Sequence, residues 1–300
     1  MNKKAAVICS SGIGDALILS IASHHLKKIG ATVTTFHKLL PDFGRWLEEG
    51  DYRPLMNSEE LLTFDFIILQ HDNTPLAHSI ASLRKKGLPI YILYPNYRPS
   101  KHGELTAFDY AFNEEKTMVD NLCDALKTLF GGNVTKRNAL TPPTGLVYRK
   151  HPNRIALHPT SGAAWRNWPK ERFLALAERL KKMGFEPQFL LSPKEHADWP
   201  HSPYLSTLEE FASYLYESGA FIGNNSGPGH LASYLSIPHI ILAHQERHMK
   251  LWKPGWMLGT CLLPPKWIPN WKGLRWKEKY WNKVITKYRV LNNLEHMLIS

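Results

Sequence analysis

Cysteine is scarce. Cys9, Cys123 and Cys261 are the only three in 300 residues, odd in number and far apart. That excludes a disulfide framework and offers no metal-ligand spacing. Such usage fits a reducing, cytoplasmic setting, with the thiols acting as small buried hydrophobes. No run of about 18 uncharged apolar residues occurs, so no transmembrane helix is expected. The N-terminal MNKKAAVICSSGIGDAL carries two lysines and a short apolar run that stops at Gly12. It reads as a first strand and not as a signal peptide. Repeats and low-complexity segments are absent. The histidines show no ligand pattern either. His71, His78 and His102 read as surface or loop residues. His244 and His248 flank Glu246 outside a clear helix, without the HExxH order, so no metal is expected. Acidic residues are outnumbered, 26 against 37 basic, for a net charge of +11. This favours an acidic partner: nucleic acid, an anionic membrane face or a phosphorylated substrate.

What is present is an α/β pattern that starts twice. With 43% apolar residues, 300 residues suit two domains. Residues 5–10 read as a buried strand, Ala16 to Lys28 as a helix stopped near Gly30, and Thr32 to Phe36 as a second strand. Strands follow at Phe64–Gln70, Leu88–Tyr94 and Ala107–Phe112, with helices at Leu76–Lys86 and Lys116–Phe130. This alternation marks a parallel sheet. Asn133 to Asn153 is polar, contains Pro142-Pro143, and reads as a linker between domains 1–145 and 146–300. The pattern then restarts: strand Arg154–His158, helix Lys170–Met183, strand Pro187–Ser192 and helix Leu208–Glu217.

Two loops hold the candidate chemistry. In the first, Gly12-Ile13-Gly14-Asp15 is a weak dinucleotide signal without a third glycine. Asp15 is either a helix cap or a proton acceptor by position. In the second, the strand Ala220–Asn224 runs into Asn225-Ser226-Gly227-Pro228-Gly229 and a helix from His230 to Leu235. A helix start of this kind is a natural anion site. Gly227 and Gly229 would let a phosphate approach, and Ser226 and His230 add donors. The other reading is a joint whose glycines serve only turn geometry.

Asn225-Ser226-Gly227-Pro228-Gly229-His230-Leu231-Ala232 resembles the Asp-Thr-Gly-Pro-x-His-Leu-Ala signature of glycosyltransferase family 9, the heptosyltransferase type. Asn225 stands in place of Asp and Ser226 in place of Thr. Gly14-Asp15 is similar to that family's first-loop Gly-Asp, and Arg166-x-Trp168-Pro169 to its Lys-x-Trp-Pro element. The resemblance implies a GT-B fold, two Rossmann-like domains with parallel sheets facing across a cleft, the basic C-terminal segment returning to the first domain. It implies inverting, metal-independent transfer of a sugar from a nucleotide diphosphate, ADP-heptose by analogy, to an acidic glycolipid of lipopolysaccharide-core type. No further cofactor is expected. Asp15 would be the base, with Gly12 and Gly14 in the acceptor-side loop. Thr160, Ser161, Arg166, Glu195, Asn225, Ser226, Gly227, Pro228, Gly229 and His230 would hold the donor. The helix start, Arg166 and His230 would supply positive charge to the departing diphosphate. Alternatives are a degenerate protein that binds a nucleotide sugar or glycan without turnover, and a GT-B enzyme, an epimerase included, for another nucleotide sugar.

Arg98, Lys101 and His102 read as a solvated loop or an acceptor contact. In the tail, Trp252, Trp256, Trp267, Trp271, Trp276 and Trp281 interleave with Lys253, Lys266, Lys272, Arg275, Lys277, Lys279 and Lys283. Such a pattern suits single-stranded nucleic acid, an anionic membrane surface, or a helix packing its tryptophans. No nucleic acid is expected as partner. Peripheral association with the inner face of a bacterial membrane fits the glycolipid acceptor.

Overall fold

The computed structural model describes residues 3–199, 202–269 and 276–299. The chain forms two compact units, Met1–Pro142 and Pro143–Ser300. In unit 1 the order is β1 (Lys4–Ile8), α1 (Ile13–Lys28), β2 (Thr32–Phe36), β3 (Asp51–Arg53), β4 (Phe66–Gln70), α2 (Pro75–Ser82), β5 (Ile90–Tyr94), α3 (Pro99–His102), β6 (Asp109–Ala111) and α4 (Met118–Phe130). Every pairing is parallel and the strand order is β3-β2-β1-β4-β5-β6. This is the order of a dinucleotide-binding sheet, whose direction of growth reverses between β1 and β4.

β1 and β4 are near-continuous apolar runs because a parallel sheet is covered on both faces. One face packs Ala6, Ile8, Ile67, Leu69, Ile90 and Ile92 against Leu61 and Ile80. α1 and α4 pack against each other. α1 buries Leu17, Ile18, Leu19, Ile21 and Leu26, each worth about 1.5–3 kcal/mol. Thr117 caps α4 by accepting from Asp120 N at 3.1 Å.

The stretch expected as a linker is only partly one. Asn138, Ala139 and Leu140 are buried in unit 1. Asn138 Nδ2 donates to Leu17 O at 3.2 Å, and Glu48 N to Ala139 O at 2.8 Å. Its polar composition conceals a packed arm. At the far end, the next strand already begins at His151.

Unit 2 contains β7 (His151–His158), α5 (Lys170–Lys182), β8 (Glu186–Phe189), α6 (Leu208–Tyr216), β9 (Ser218–Asn224), α7 (Gly227–Tyr234), β10 (His239–Leu242), α8 (Glu246–Trp252), β11 (Thr260–Leu262), α9 (Trp276–Val284) and α10 (Lys287–Ile299). Its sheet runs β11-β10-β9-β7-β8, all parallel, and reverses between β7 and β9. Glycine lets strands and loops close here: a Cβ on Gly219 would lie 1.8 Å from Pro152 O.

The tail is folded into this unit. Trp281, Ile285, Val290, Leu291 and Leu294 join the core formed by Leu157, Trp168, Phe173 and Ile222. Trp252 and Trp256 are half-buried, whereas Trp267 and Trp276 are exposed. Trp271, Lys272, Arg275 and the Lys279 side chain lie outside the described residues. No helix among the described residues is long and apolar enough to cross a membrane. The three cysteines are free and half-buried, not fully enclosed.

Candidate functional site

In each open sheet, loops after strands that flank the reversal of direction are the natural ligand site. Asp15 lies at that point in unit 1. It is the third residue of α1, and the position before the helix, Gly12, makes no side-chain cap. The carboxylate instead crosses to the end of β4, where Gln70 Nε2 donates to Oδ1 at 2.5 Å. Burial raises the Asp15 pKa above the ordinary carboxylate range. Asp72 adds to the rise, and the Gln70 hydrogen bond opposes it. Such a carboxylate is a stronger base than a solvated one.

The loop is built to hold it. A Cβ on Gly12 would sit 2.6 Å from Asp15 Oδ2, so glycine leaves room for the carboxylate. His37 Nδ1 accepts from Leu39 N at 3.2 Å, so its other nitrogen donates to Ser11 O, also at 3.2 Å. Gly14 is buried in the first turn of α1. The sequence does not announce Gln70 or His37. Gln70 is the one polar residue closing the apolar run Phe66–Gln70, and that is the signal available for it.

In unit 2 the equivalent position is taken by Asn224, fully buried at the end of β9. Its Nδ2 donates to Pro159 O at 2.6 Å, and its Oδ1 accepts from Trp168 N at 3.0 Å. One carboxamide thereby ties β9 to the loop after β7 and to the start of α5. Asn225, expected to carry this position's chemistry, donates its backbone N–H to Leu242 O at 3.1 Å. The clamp ties down both ends of the loop that carries Thr160, Ser161 and Arg166. Thr160 lies 3.4 Å from His158 Nε2, whose Nδ1 donates to Leu190 O at 2.7 Å. Ser161 Oγ donates at 2.7 Å to Asn167 Oδ1. Glu195 Oε2 accepts from Ser192 Oγ at 2.6 Å.

The glycine turn differs from expectation. α7 begins at Gly227, so Pro228 and Gly229 lie inside its first turn. Pro228 fits there because it needs no N–H. Gly229 N donates to Ser226 O at 3.1 Å. A Cβ on Gly229 would meet Ile241 Cδ1 at 2.6 Å, so this glycine lets α7 pack on β10 and does not open a path for phosphate. Ser226 Oγ donates to Asn224 O at 3.0 Å.

His230 also requires correction. It is buried, and burial pushes its pKa down to about 4, helped by His239 and His248. The ring is therefore neutral at physiological pH and carries no charge, and its buried Nδ1 has no hydrogen-bond partner.

Arg166 is exposed and lies with its guanidinium 5.0 Å from the Trp165 ring centroid. Trp165 meets the His244 ring edge-on at 4.9 Å. Arg166 helps hold the His248 pKa down at about 4, after burial. His244 to His248 enter α8, a helix the sequence does not announce. Beside it a cavity of about 360 Å³ is lined by His244, Gln245, Glu246, Arg247, Leu263 and Lys277, a size suited to part of a nucleotide. His71, expected at the surface, is buried in unit 1.

No family model and no curated protein matches the sequence. Solved structures do resemble it along its whole length. The glycosyl transferase family 9 protein from Veillonella parvula DSM 2008 has a TM-score of 0.72 and 16% identity, covering 100% of this chain and 98% of its own. E. coli ADP-heptose lps heptosyltransferase II has a TM-score of 0.68 and 17% identity, covering 99% and 98%. E. coli heptosyltransferase WaaC with ADP has a TM-score of 0.67 and 13% identity, covering 98% and 99%. Two parallel α/β units, each with its candidate loops at the reversal point of the sheet, together with these likenesses, give the chain the GT-B fold seen in heptosyltransferase-type glycosyltransferases.

Proposed function

We propose that the protein is an inverting glycosyltransferase that moves a sugar from a nucleotide diphosphate onto an acceptor hydroxyl. The observation that carries this is the half-buried Asp15 carboxylate, raised in pKa and aimed by Gln70. Asp15 takes the proton of the acceptor hydroxyl as that oxygen attacks the anomeric carbon. The bond to the diphosphate breaks in the same displacement, and configuration inverts.

Unit 2 holds the donor. Arg166 faces the growing negative charge on the leaving diphosphate, with the start of α7 and the neutral His230 adding hydrogen bonds. Thr160, Ser161, Asn225 and Ser226 orient the phosphates and sugar, and Glu195 the ribose. ADP-heptose is the donor favoured by the likeness to heptosyltransferases, one of which was solved with ADP-2-deoxy-2-fluoro heptose. The acceptor is an acidic glycolipid, the reaction proceeds without metal, and the basic chain works at the inner face of a bacterial membrane.

The test is release of nucleoside diphosphate from a panel of nucleotide sugars, with and without lipopolysaccharide-core acceptors. Acceptor-dependent release with ADP-heptose supports the reading. Tight binding of a nucleotide sugar with no release under any condition overturns it in favour of a non-catalytic binder.

A further inference from the structure

The catalytic scheme leaves unused a group of rings on the same sheet edge as Asp15. His71 continues β4 directly after Gln70, with its N–H donating to Leu93 O at 2.9 Å. Its ring centroid lies 4.7 Å from that of His78 on α2 and 5.4 Å from that of His102 on α3. Tyr94 lies beneath, 5.2 Å from His71 and 4.9 Å from His102. The rings grade from buried His71 through half-buried His102 to exposed His78.

Three imidazoles in contact are an odd choice for packing, which phenylalanine performs without a polar cost. Buried His71 Nδ1 has no hydrogen-bond partner, a deficit worth about 1–3 kcal/mol. His102 is spoken for. Its Nδ1 accepts from Arg98 N at 2.9 Å, and its Nε2 donates to Asn73 Oδ1 at 2.8 Å. Asn73 holds that contact with φ at +62°, a left-handed conformation that asparagine tolerates. His102 therefore serves as a fixed wall. Among the described residues no three His, Cys, Asp or Glu side chains are grouped to hold a metal ion.

We propose that His71 and His78, walled by His102 and Tyr94 and rimmed by Arg98 and Lys101, form a subsite for a phosphate monoester carried by the acceptor. The proposal rests on the transferase reading only in assigning the phosphate to the acceptor.

The charges around the cluster favour such a ligand. His78 and His102 hold the His71 pKa down, after burial, and Asp72 opposes them. Lys101 and His78 hold His102 down in the same way, after burial, and the Arg98 backbone hydrogen bond opposes them. Asp72 is turned to Thr74, accepting from its N–H at 3.0 Å and its hydroxyl at 2.6 Å. Behind Tyr94, the Arg84–Asp109 pair is closed at 2.7 Å. The rings repel one another's protons until an anion arrives. A phosphate, with its second pKa near about 6 and three acceptor oxygens, reverses that balance and binds together with protons.

The experiment follows imidazole carbon–proton NMR signals of the whole protein against pH, with and without inorganic phosphate. Saturating phosphate should raise the His71 midpoint by about one unit, a tenfold linkage, and leave interior His239 unmoved. The double variant His78→Gln/Lys101→Met should bind phosphate about tenfold more weakly. Midpoints unmoved by phosphate, or moved equally by chloride at matched ionic strength, overturn the subsite.

Glycerol phosphate and phosphatidic acid vesicles, with phosphatidylcholine vesicles as control, distinguish a soluble phosphate from a lipid headgroup. A response to either supports the subsite, and a response to neither overturns it. In turnover, the double variant should raise KM for a phosphorylated relative to a dephosphorylated acceptor about tenfold. Absence of turnover in the wild type would sink the transferase reading alone, and the phosphate titration would still decide for or against the subsite.

Discussion

The two units solve the same local problem with the same side-chain group and reach opposite electrostatic results. Each sheet reverses direction next to a strand that ends in a carboxamide, Gln70 in unit 1 and Asn224 in unit 2. Asn224 is satisfied at both ends, by Pro159 O and Trp168 N. Gln70 spends its N–H on Asp15, while its buried Oε1 has no partner. Unit 2 thus carries a saturated, rigid clamp under neutral donors, with His230 uncharged. Unit 1 carries a half-used amide beside a destabilised carboxylate. Saturation suits a floor on which a ligand rests, and an unmet acceptor beside a base suits a place where a hydroxyl arrives.

The strongest way to break this comparison is Asp15→Asn. Turnover should fall by about 10²–10⁴, measured as nucleoside diphosphate release. Stability should move the other way. A carboxylate whose folded pKa is raised stabilises the fold below its unfolded pKa of about 3.9 and loses that contribution as pH rises through the folded value. At neutral pH the wild type therefore holds a partly desolvated charge at a cost, and the variant should melt higher. Lower Tm in Asp15→Asn would contradict that account.

Asn224→Ala should act on unit 2 alone. It strands the buried Trp168 N–H and Pro159 O, costing roughly 2 kcal/mol in denaturant unfolding and weakening nucleotide-sugar binding. Gly229→Ala presses a methyl onto Ile241 and should cost about 1–3 kcal/mol, with a smaller effect on the donor. A phosphate-approach role would invert that order. Smallest is Arg166→Ala. The side chain is exposed, so stability should stay put while calorimetric donor affinity falls about tenfold.

Much of the architecture is legible because buried parallel strands read as short apolar runs, and helices declare themselves by period and by glycine stops such as Gly30. β3 and β11 escape because three residues show no period. α8 escapes because Gln245 to Trp252 looks like a polar loop. At the site, Asp15 is legible and its partner is not. Gln70 and Asn224 each close an apolar run, where one polar letter looks like the strand's end. What Gly229 does also depends on a residue twelve positions away, which no local pattern contains.

The indole of Trp168 carries a practical consequence. Its Nε1–H donates to Ile285 O at 2.9 Å, and the Arg172 guanidinium reaches the same oxygen at 2.7 Å and Lys283 O at 3.0 Å. The joint between the last two helices is therefore the keel of the loop that Asn224 holds from the other side. A shortened version ending before residue 285 would strip Trp168 and Arg172 of the acceptor they share, Ile285 O. Anyone trimming this protein for expression should expect the loop between β7 and α5 to fail first, far in sequence from the cut.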